Sequence, residues 1–376
     1  MLTNVENRLD RETPRSEDHP LRILIATEHV YLPQMFGGLQ TSTDDLARSF
    51  NDRGHTVAVF SSLSKVGKIG LAGRVLLRLR RPFARDKTLG YDCFRTWRPA
   101  SKVAAIVRRF KPDCVIVQSP GSVPLATEFT RLKVPVVFYF HNVEHQFLKG
   151  DPSQLDAVFV ANSKFTAENV KTTYGLAATV VPPFVKTPPR MPEHVEKSYV
   201  LFVNPIKEKG LDVAVQIAAA CPSIPFVFVK AWIFDAEKMD DLDRALSGLA
   251  NVTVLSSQAD TSTLYAGARI VLVPSVWAEA WGRVASEAQI YGVPVLATRI
   301  GGLPEAVGDG GILIDPHAPI SQWSEALTRM WSDRPYYDAL VDRARKFARR
   351  ADMNPDVQLE RLLSEVDSSI LRHATP

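Results

Sequence analysis

Residues 270–294 constrain the fold most, because they contain a strand, a loop and a helix in immediate succession. Residues 270–273 form an apolar, β-branched run typical of a buried strand, and Pro274 ends it. A helix is predicted at about 283–291, where Gly292 stops it. Similar strand-length apolar runs alternate with helical patterns along most of the chain. This alternation predicts an α/β protein with parallel sheets that helices cover on both faces.

Two glutamates and one glycine lie in and just after this loop. Glu279 is in the loop and Glu287 is on the helix, so both side chains can face the edge of the sheet where ligands bind. Gly282 precedes the helix and would let an anion approach the first backbone N–H groups. Carboxylates beside an anion site suit a ligand with both hydroxyls and phosphates, such as a nucleotide-sugar. The alternative is two glutamates on a solvent-facing helix.

Residues 279–287, EAWGRVASE, resemble the E-x7-E signature of the retaining glycosyltransferases of family 4, and residues 298–307, TRIGGLPEAV, also match that family. The resemblance implies the GT-B fold, in which two Rossmann-like, doubly wound domains face each other across a cleft and the C-terminal helix crosses back to the N-terminal domain. It implies that Glu279 is catalytic beside the donor sugar and that Glu287 holds the ribose. It further implies donor contacts from Trp281, Gly282, Arg283 and Val284.

Two loops of the N-terminal half also resemble that family. His141 follows the apolar run at 134–140 and stands where the family has a histidine near the donor sugar, so a catalytic role is implied. Gly37 and Gly38 follow the first predicted strand, at 21–27, and resemble the family's cleft loop near the acceptor. A turn without a ligand is the alternative for these two glycines.

The loop after the strand predicted at 199–203 departs from the family pattern. The family has a Gly-Arg pair before a Lys-Gly pair, and its arginine and lysine grip the donor diphosphate. This chain keeps Lys209 and Gly210 but has Asn204 and Pro205 where glycine and arginine are expected. Lys209 is therefore expected to bind the donor, and Lys207 is predicted to substitute for the missing arginine.

A length of 376 residues is enough for two domains, each with a full core. The boundaries follow from composition and from the resemblance. They are a disordered tail at 1–20, an N-terminal acceptor-side domain at 21–183, a linker at 184–197, a C-terminal nucleotide-sugar-binding domain at 198–351, and a C-terminal helix at 352–376 that packs back on the N-terminal domain.

Composition excludes several classes of protein. The chain is 45% hydrophobic and 23% charged, as is usual for a soluble globular protein. The first 20 residues are polar and match neither a signal peptide nor a membrane span, so a cytoplasmic location is expected. Cys93, Cys114 and Cys221 are widely separated, which argues against disulfides and a cysteine-based zinc site. No cofactor, no metal and no nucleic-acid partner are predicted.

The positive charge is concentrated in residues 65–87, which contain eight Lys or Arg and one Asp, whereas the whole chain has a net charge of only +4. Leu71, Val75 and Leu79 recur every fourth residue there and predict an amphipathic helix at 71–81. Such a surface could contact an anionic membrane or a lipid-linked acceptor. A solvated helix is the alternative.

The reaction implied is metal-independent transfer of a glycosyl group from a nucleotide-sugar donor to a saccharide or lipid-linked acceptor, with retention at the anomeric carbon. Bacterial polysaccharide or glycolipid biosynthesis is the expected pathway, with possible association with the membrane. A GT-B epimerase or phosphorylase is one alternative, and product analysis would separate these. A catalytically silent GT-B module that binds a partner or a membrane is the other, and it would not hydrolyse a donor.

Overall fold

The computed structural model describes residues 19–118, 120–187, 195–232, 234–256 and 261–374. The tail predicted at 1–20 lies almost entirely outside the described residues, and the linker predicted at 184–197 lies partly outside them. The strands are β1 (Arg22–Val30), β2 (Thr56–Ser62), β3 (Ala84–Asp86), β4 (Asp92–Thr96), β5 (Cys114–Gln118), β6 (Val136–Phe140), β7 (Val158–Ala161), β8 (Thr179–Val180), β9 (Tyr199–Val203), β10 (Phe226–Lys230), β11 (Val252–Ser256), β12 (Ala268–Val273), β13 (Val295–Thr298) and β14 (Gly311–Ile314).

Helices connect most of these strands. They are α1 (Gly38–Asp52), α2 (Gly67–Arg78), α3 (Val103–Phe110), α4 (Ser122–Arg131), α5 (His145–Leu148), α6 (Lys164–Tyr174), α7 (Leu211–Ala220), α8 (Ala236–Ala245), α9 (Ser262–Gly267), α10 (Arg283–Ile290), α11 (Leu303–Val307), α12 (Ile320–Ser332), α13 (Arg334–Ala348) and α14 (Pro355–Ala374).

The strands form two sheets, which confirms the predicted pair of doubly wound domains. The first sheet has the order β3-β4-β2-β1-β5-β6-β7-β8, and the second has the order β11-β10-β9-β12-β13-β14. Among the described strands only β3 and β4 pair antiparallel. The strand order reverses between β1 and β5 in the first sheet and between β9 and β12 in the second. Ligands of doubly wound sheets bind at the carboxyl ends of strands beside such reversals.

The first sheet is buried on both faces, because alternate side chains of each central strand enter different cores. Ile23 and Ile25 of β1 pack in one hydrophobic cluster, and Leu24 and Ala26 pack in the other. Parallel strands that helices cover on both faces need this nearly continuous apolar sequence. The apolar sequence of β1 therefore suits its position inside the sheet, between β2 and β5.

The last helix, α14, returns to the first domain, as the predicted fold requires. Leu359, Leu362 and Val366 are buried in the same cluster as Ile23. Each such side chain contributes roughly 1.5–3 kcal/mol through the burial of apolar area. Ser369 also donates a hydrogen bond to the backbone oxygen of Val136 at 3.1 Å.

The basic segment contains a helix that starts and ends earlier than the sequence predicts. Two glycines lie on its inner face, since a Cβ at Gly70 would lie 2.6 Å from a Ser64 oxygen and one at Gly73 would lie 2.6 Å from Leu63. They let α2 pack closely on the preceding chain. Within the described ranges, no helix is long and apolar enough to cross a membrane.

Candidate active site

A cleft of about 650 Å³ lies between the carboxyl ends of the two sheets. The loops that follow β1, β5, β6, β7, β9, β10 and β12 all line it, so both reversals of strand order open into one space. Most of the residues predicted from the sequence line this cleft. They are Gly37, Gly38, His141, Lys209, Glu279, Trp281, Gly282, Arg283 and Val284.

The loop after β12 and the turn after β9 meet through an ion pair. The Nζ atom of Lys209 lies 2.8 Å from Oε1 of Glu279, and the two side chains are only 14% and 11% exposed. The hydroxyl of Ser275 donates to the same Oε1 atom at 2.5 Å. One carboxylate oxygen of Glu279 is therefore fixed by two donors, and this holds the carboxylate at the cleft wall.

Gly210 allows this close approach of the two loops. Its φ angle is +84°, and a Cβ there would lie 1.9 Å from the backbone oxygen of Pro274. Any other residue would push the turn after β9 away from the loop after β12. The Lys-Gly pair is thus required as a unit, since the glycine brings the lysine to Glu279.

Two tryptophans flank the ammonium group of Lys209. Its Nζ atom lies 5.4 Å from the ring centroid of Trp232 and 4.9 Å from that of Trp277, within the range of cation–π attraction. Asn204 positions the first of these rings, because its Oδ1 atom accepts hydrogen bonds from the backbone N–H groups of Ala231 and Trp232 at 3.1 and 2.8 Å.

Asn204 stands where the family has glycine, and its backbone shows why the exchange is tolerated. Its φ angle is +61°, in the left-handed region that glycine and, among other residues, asparagine adopt most readily. The departure at this position therefore preserves the turn and adds a side chain that organises the loop after β10.

Glu287 lies behind the cleft wall, and it is not among the residues that line the cleft. Its Oε2 atom accepts a hydrogen bond from the Tyr265 hydroxyl at 2.5 Å, and its Oε1 atom lies 2.6 Å from Nε of Arg283. Burial and the Glu287 carboxylate raise the pKa of Tyr265 well above its usual value, so the hydroxyl stays a donor. Both carboxylate oxygens of Glu287 thus have protein partners.

Arg283 connects the two domains. Its Nη2 atom lies 2.9 Å from Oδ2 of Asp45 on α1, and Nη1 donates to the backbone oxygen of Phe184 in the chain between the sheets. The aliphatic part of Arg283 also lies 3.7 Å from the position that a Cβ on Gly38 would occupy. The first domain therefore contacts the start of α10 through α1 and the glycine loop.

The start of α10 is shaped by Gly282, whose φ angle of +106° excludes ordinary side chains. A Cβ there would lie 2.5 Å from Leu303 at the start of α11. Nearby, the N–H of Gly302 donates to the backbone oxygen of Glu279 at 2.7 Å. The GGLPE segment, part of the second stretch that resembles the family, therefore packs against the loop that carries Glu279.

His141 faces this group from the first domain. Its ring packs on Tyr139 with centroids 4.0 Å apart, and its buried Nε2 atom has no hydrogen-bond partner among the described residues. Burial lowers the pKa of His141 to about 3, so the ring is neutral at physiological pH. A neutral imidazole can donate or accept a hydrogen bond from a sugar hydroxyl.

The structure corrects the prediction for Lys207, which does not reach the cleft. Its side chain is 64% exposed, and its Nζ atom pairs with Oδ2 of Asp241 on α8 at 2.7 Å. A single turn of 3₁₀ helix over Lys207–Lys209 separates the two lysine side chains, so only Lys209 points inward. Lys207 therefore does not replace the missing arginine in the cleft.

The cleft is also lined by residues that were not predicted from the sequence, among them Trp232, Trp277 and Lys238. The indole nitrogen of Trp277 is buried and, like Nε2 of His141, has no partner in the described part of the chain. Trp277 could have been predicted, because it lies only two residues before Glu279 in the same loop. Neither Trp232 nor Lys238 belongs to a recognisable motif. Among the described residues, no three His, Cys, Asp or Glu side chains are grouped as a metal site would require.

Comparison with known families agrees with this architecture. The family described as "Glycosyl transferases group 1" matches residues 187–347, and the family described as "Glycosyltransferase Family 4" matches residues 36–187. The two matches run together from the first glycine loop to α13. The chain belongs to the group 1 glycosyltransferases. Its fold is the GT-B fold predicted from the sequence.

Curated relatives of this group 1 glycosyltransferase match only part of it. The D-inositol 3-phosphate glycosyltransferase of Mycobacterium tuberculosis is 34% identical over 145 residues, which cover 36% of this chain and 30% of that protein. The protein of the same name from Corynebacterium diphtheriae is 49% identical over 75 residues, which cover 19% of this chain and 17% of that protein. The matches thus span less than a third of the length of these relatives.

Solved structures resemble nearly the whole chain at low identity. Anabaena Alr3699/HepE in complex with UDP-glucose has a TM-score of 0.71 at 18% identity, covering 92% of this chain and 99% of that chain. A glycosyltransferase from Rickettsia africae has a TM-score of 0.72 at 17% identity, covering 94% and 100%. At such low identity, these similarities show that the fold is shared and nothing more.

Proposed function

We propose that this chain transfers a glycosyl group from a nucleotide-sugar to an acceptor with retention at the anomeric carbon and without a metal ion. The observation that supports this most is the arrangement of the Lys209–Glu279 pair opposite His141 and beside Trp277 in one cleft. Two buried ring nitrogens there, Nε2 of His141 and the indole nitrogen of Trp277, have no hydrogen-bond partner within the described part of the protein. Leaving such groups without a hydrogen bond costs about 1–3 kcal/mol each, and a sugar with several oxygens would satisfy both.

Each group has a chemical task in this proposal. The Glu279 carboxylate lies beside the donor sugar, and Lys209 balances the charge that develops on the leaving phosphate. The neutral His141 ring binds a sugar hydroxyl. Backbone N–H groups at the start of α10, at Gly282, Arg283 and Val284, face the phosphates, since a helix N-terminus attracts anions.

UDP-glucose is the first donor to test, because it is bound in the Anabaena structure. A donor at a hundred times its dissociation constant should raise the free energy of unfolding by about 2.7 kcal/mol, which a thermal shift detects. The proposal predicts such a shift for at least one donor among UDP-, GDP- and ADP-sugars, with and without EDTA. Equal stability with every donor would contradict it, and loss of the shift in EDTA would contradict metal independence.

The stereochemistry of the product separates this proposal from its rivals. With an α-linked donor and a panel of acceptors that includes D-inositol 3-phosphate, NMR should show an α-linked glycoside. A β-linked glycoside would exclude retention. A new sugar nucleotide without an acceptor would indicate an epimerase, and a sugar phosphate formed from free phosphate would indicate a phosphorylase. Donor binding with no turnover would indicate the silent module.

The Glu287 carboxylate is proposed to hold the ribose in exchange for one of its present contacts. Glu287→Gln keeps the shape but removes the charge. Since a hydrogen bond to a charged group contributes about 1.5–3 kcal/mol, UDP should bind at least tenfold more weakly. Calorimetry with UDP and with inorganic pyrophosphate tests this, because only UDP contains the ribose. An equal loss for both ligands would contradict the ribose assignment.

We also propose that α2 binds anionic membranes, which would suit a lipid-linked acceptor in bacterial glycolipid or polysaccharide synthesis at the cytoplasmic surface. Leu71 and Val75 on α2 and Leu79, which directly follows it, are apolar side chains that are 58%, 52% and 68% exposed. Exposed Arg74 and Arg78 lie between them. Apolar side chains among arginines are typical of helices that lie in a membrane interface.

Vesicle sedimentation tests the membrane proposal. Changing Arg74, Arg78 and Arg81 to Gln should weaken binding to phosphatidylglycerol-containing vesicles about a hundredfold at low salt, since each cation near an anionic surface contributes about 1 kcal/mol. A matched control changes the exposed Lys102, Arg108 and Arg109 at α3 to Gln. Equal weakening by both triple changes would mean that net charge alone acts, and an absence of binding at low salt would leave α2 a solvated helix.

A further inference from the structure

The cations that line the cleft decide where a donor diphosphate can be held. Among the described residues these are Lys209, Lys238 and Arg283. Pro205 occupies the position of the family's diphosphate-binding arginine, and Lys207 points away from the cleft to Asp241. A diphosphate needs more than one cationic contact, so the remaining lysine and arginine side chains have to be compared.

Two of the three cations already pair with carboxylates that are largely shielded from water. Lys209 pairs with Glu279 at 2.8 Å and lies between two indole rings. Arg283 uses Nε, Nη1 and Nη2 for Glu287, Phe184 and Asp45. Removing either cation from its partners would leave a carboxylate unpaired in a poorly solvated place, which is unfavourable.

Lys238 differs because its ion pair is exposed. Its Nζ atom lies 2.8 Å from Oδ2 of Asp235, and the two side chains are 44% and 58% exposed. Exposed pairs of this kind contribute little to stability, because water screens them and solvates both partners after separation. Lys238 is therefore the cleft cation that can exchange its partner at the lowest cost.

The loop before Lys238 is held against the cleft by the residue that replaces the family glycine. Asn204 accepts hydrogen bonds from the backbone of Ala231 and Trp232, directly after β10. Asp235 then accepts from the N–H of Lys238 at 2.9 Å and begins α8. The altered Asn204-Pro205 pair thus removes the arginine and also organises the loop that leads to Lys238.

We propose that Lys238 binds the phosphates of the nucleotide-sugar donor in place of the missing arginine, while Lys209 remains with Glu279. This assignment rests on the proposed function, since it requires a diphosphate in the cleft. Donor binding would exchange the contact of Lys238 with Asp235 for one with a phosphate oxygen. The carboxylate of Asp235 would keep its bond to the backbone at the start of α8.

Calorimetry with UDP, and with GDP if UDP does not bind, tests the assignment. Lys238→Ala should weaken binding roughly tenfold, because it removes a charged hydrogen bond. Lys238→Arg should retain most of the affinity. Lys207→Ala is the matched control, since it removes an exposed, aspartate-paired lysine outside the cleft, and it should leave the affinity unchanged.

Asp235→Asn should change the affinity for nucleoside diphosphate in the opposite direction. Asparagine can still accept the N–H bond that starts α8, but it no longer competes for the lysine charge. Nucleoside diphosphate should bind about two- to threefold more tightly to this variant. Wild-type affinity in Lys238→Ala, or equal losses in Lys238→Ala and Lys207→Ala, would overturn the assignment while leaving the proposed function intact. No binding of UDP, GDP or ADP to the wild-type protein would overturn both.

Discussion

His141 makes a quantitative prediction about stability in acid. Its pKa falls from about 6.5 in the unfolded chain to about 3 in the folded protein because the charged ring would be poorly solvated. Between about pH 6.5 and about pH 3, His141 is therefore protonated in the unfolded chain but neutral in the folded protein. A depressed pKa on a base means that stability is full above pH 6.5 and is lost as the pH falls.

The magnitude follows from the distance between the pH and the unfolded pKa. At pH 5, which is about 1.5 pH units below the unfolded pKa, protonation of His141 stabilises the unfolded chain by about 1.36 kcal/mol per unit, or about 2 kcal/mol. At pH 8 this stabilisation is almost zero. His141→Asn removes this contribution and keeps a polar side chain at the cleft. His55, whose pKa burial also lowers, is present in both proteins and cancels in the comparison.

Urea unfolding of both proteins at pH 8 and pH 5 measures this difference. The wild-type protein should lose about 2 kcal/mol more than His141→Asn between the two pH values. Equal losses in the two proteins would show that the folded protein protonates His141 at pH 5 as readily as the unfolded chain does, which would refute the effect of burial on this ring.

Two further variants test how the loops and domains are held. Gly210→Ala should destabilise the protein by roughly 3 kcal/mol, because it adds a backbone clash to a strained φ angle. Gly175→Ala is the control and should cost only about 1 kcal/mol, because Gly175 has a φ angle of +70° but open space around it. Similar free energies of unfolding for the two variants in urea would contradict the clash. Asp45→Ala should cost about 2 kcal/mol, because it removes a largely shielded partner of Arg283, whereas the exposed Asp52→Ala should cost less than about 0.5 kcal/mol. Equal melting temperatures of these two variants would count against a domain contact through Arg283.

Local patterns predicted most of the fold. The strands predicted at 21–27 and 199–203 and the helix predicted at about 283–291 are observed as β1, β9 and α10. They could be predicted because each element is bounded by turn residues and is apolar on its buried side.

The geometry of the site could not be predicted, because it depends on contacts between segments that are far apart in the sequence. Asn204 meets Trp232 only because β9 and β10 are adjacent, and Asp45 meets Arg283 across 238 residues of chain. The direction of the Lys207 side chain follows from a single 3₁₀ turn, in which neighbouring lysines point to different sides. The sequence could therefore propose which loops form the cleft, but it could not decide which cation enters it.

The rate of nucleoside diphosphate release from a nucleotide-sugar tests the central claim most directly. The donor is the one selected by thermal shift, and the proteins are the wild type, Lys209→Ala, Glu279→Gln and Lys207→Ala. The wild type and Lys207→Ala should release nucleoside diphosphate at the same rate. Lys209→Ala and Glu279→Gln should be at least a hundredfold slower, since loss of one preorganised charged group at a reacting centre costs about 2.7–4 kcal/mol. Equal rates in all four proteins, or no release by the wild type, would contradict the assignment of this cleft as the active site.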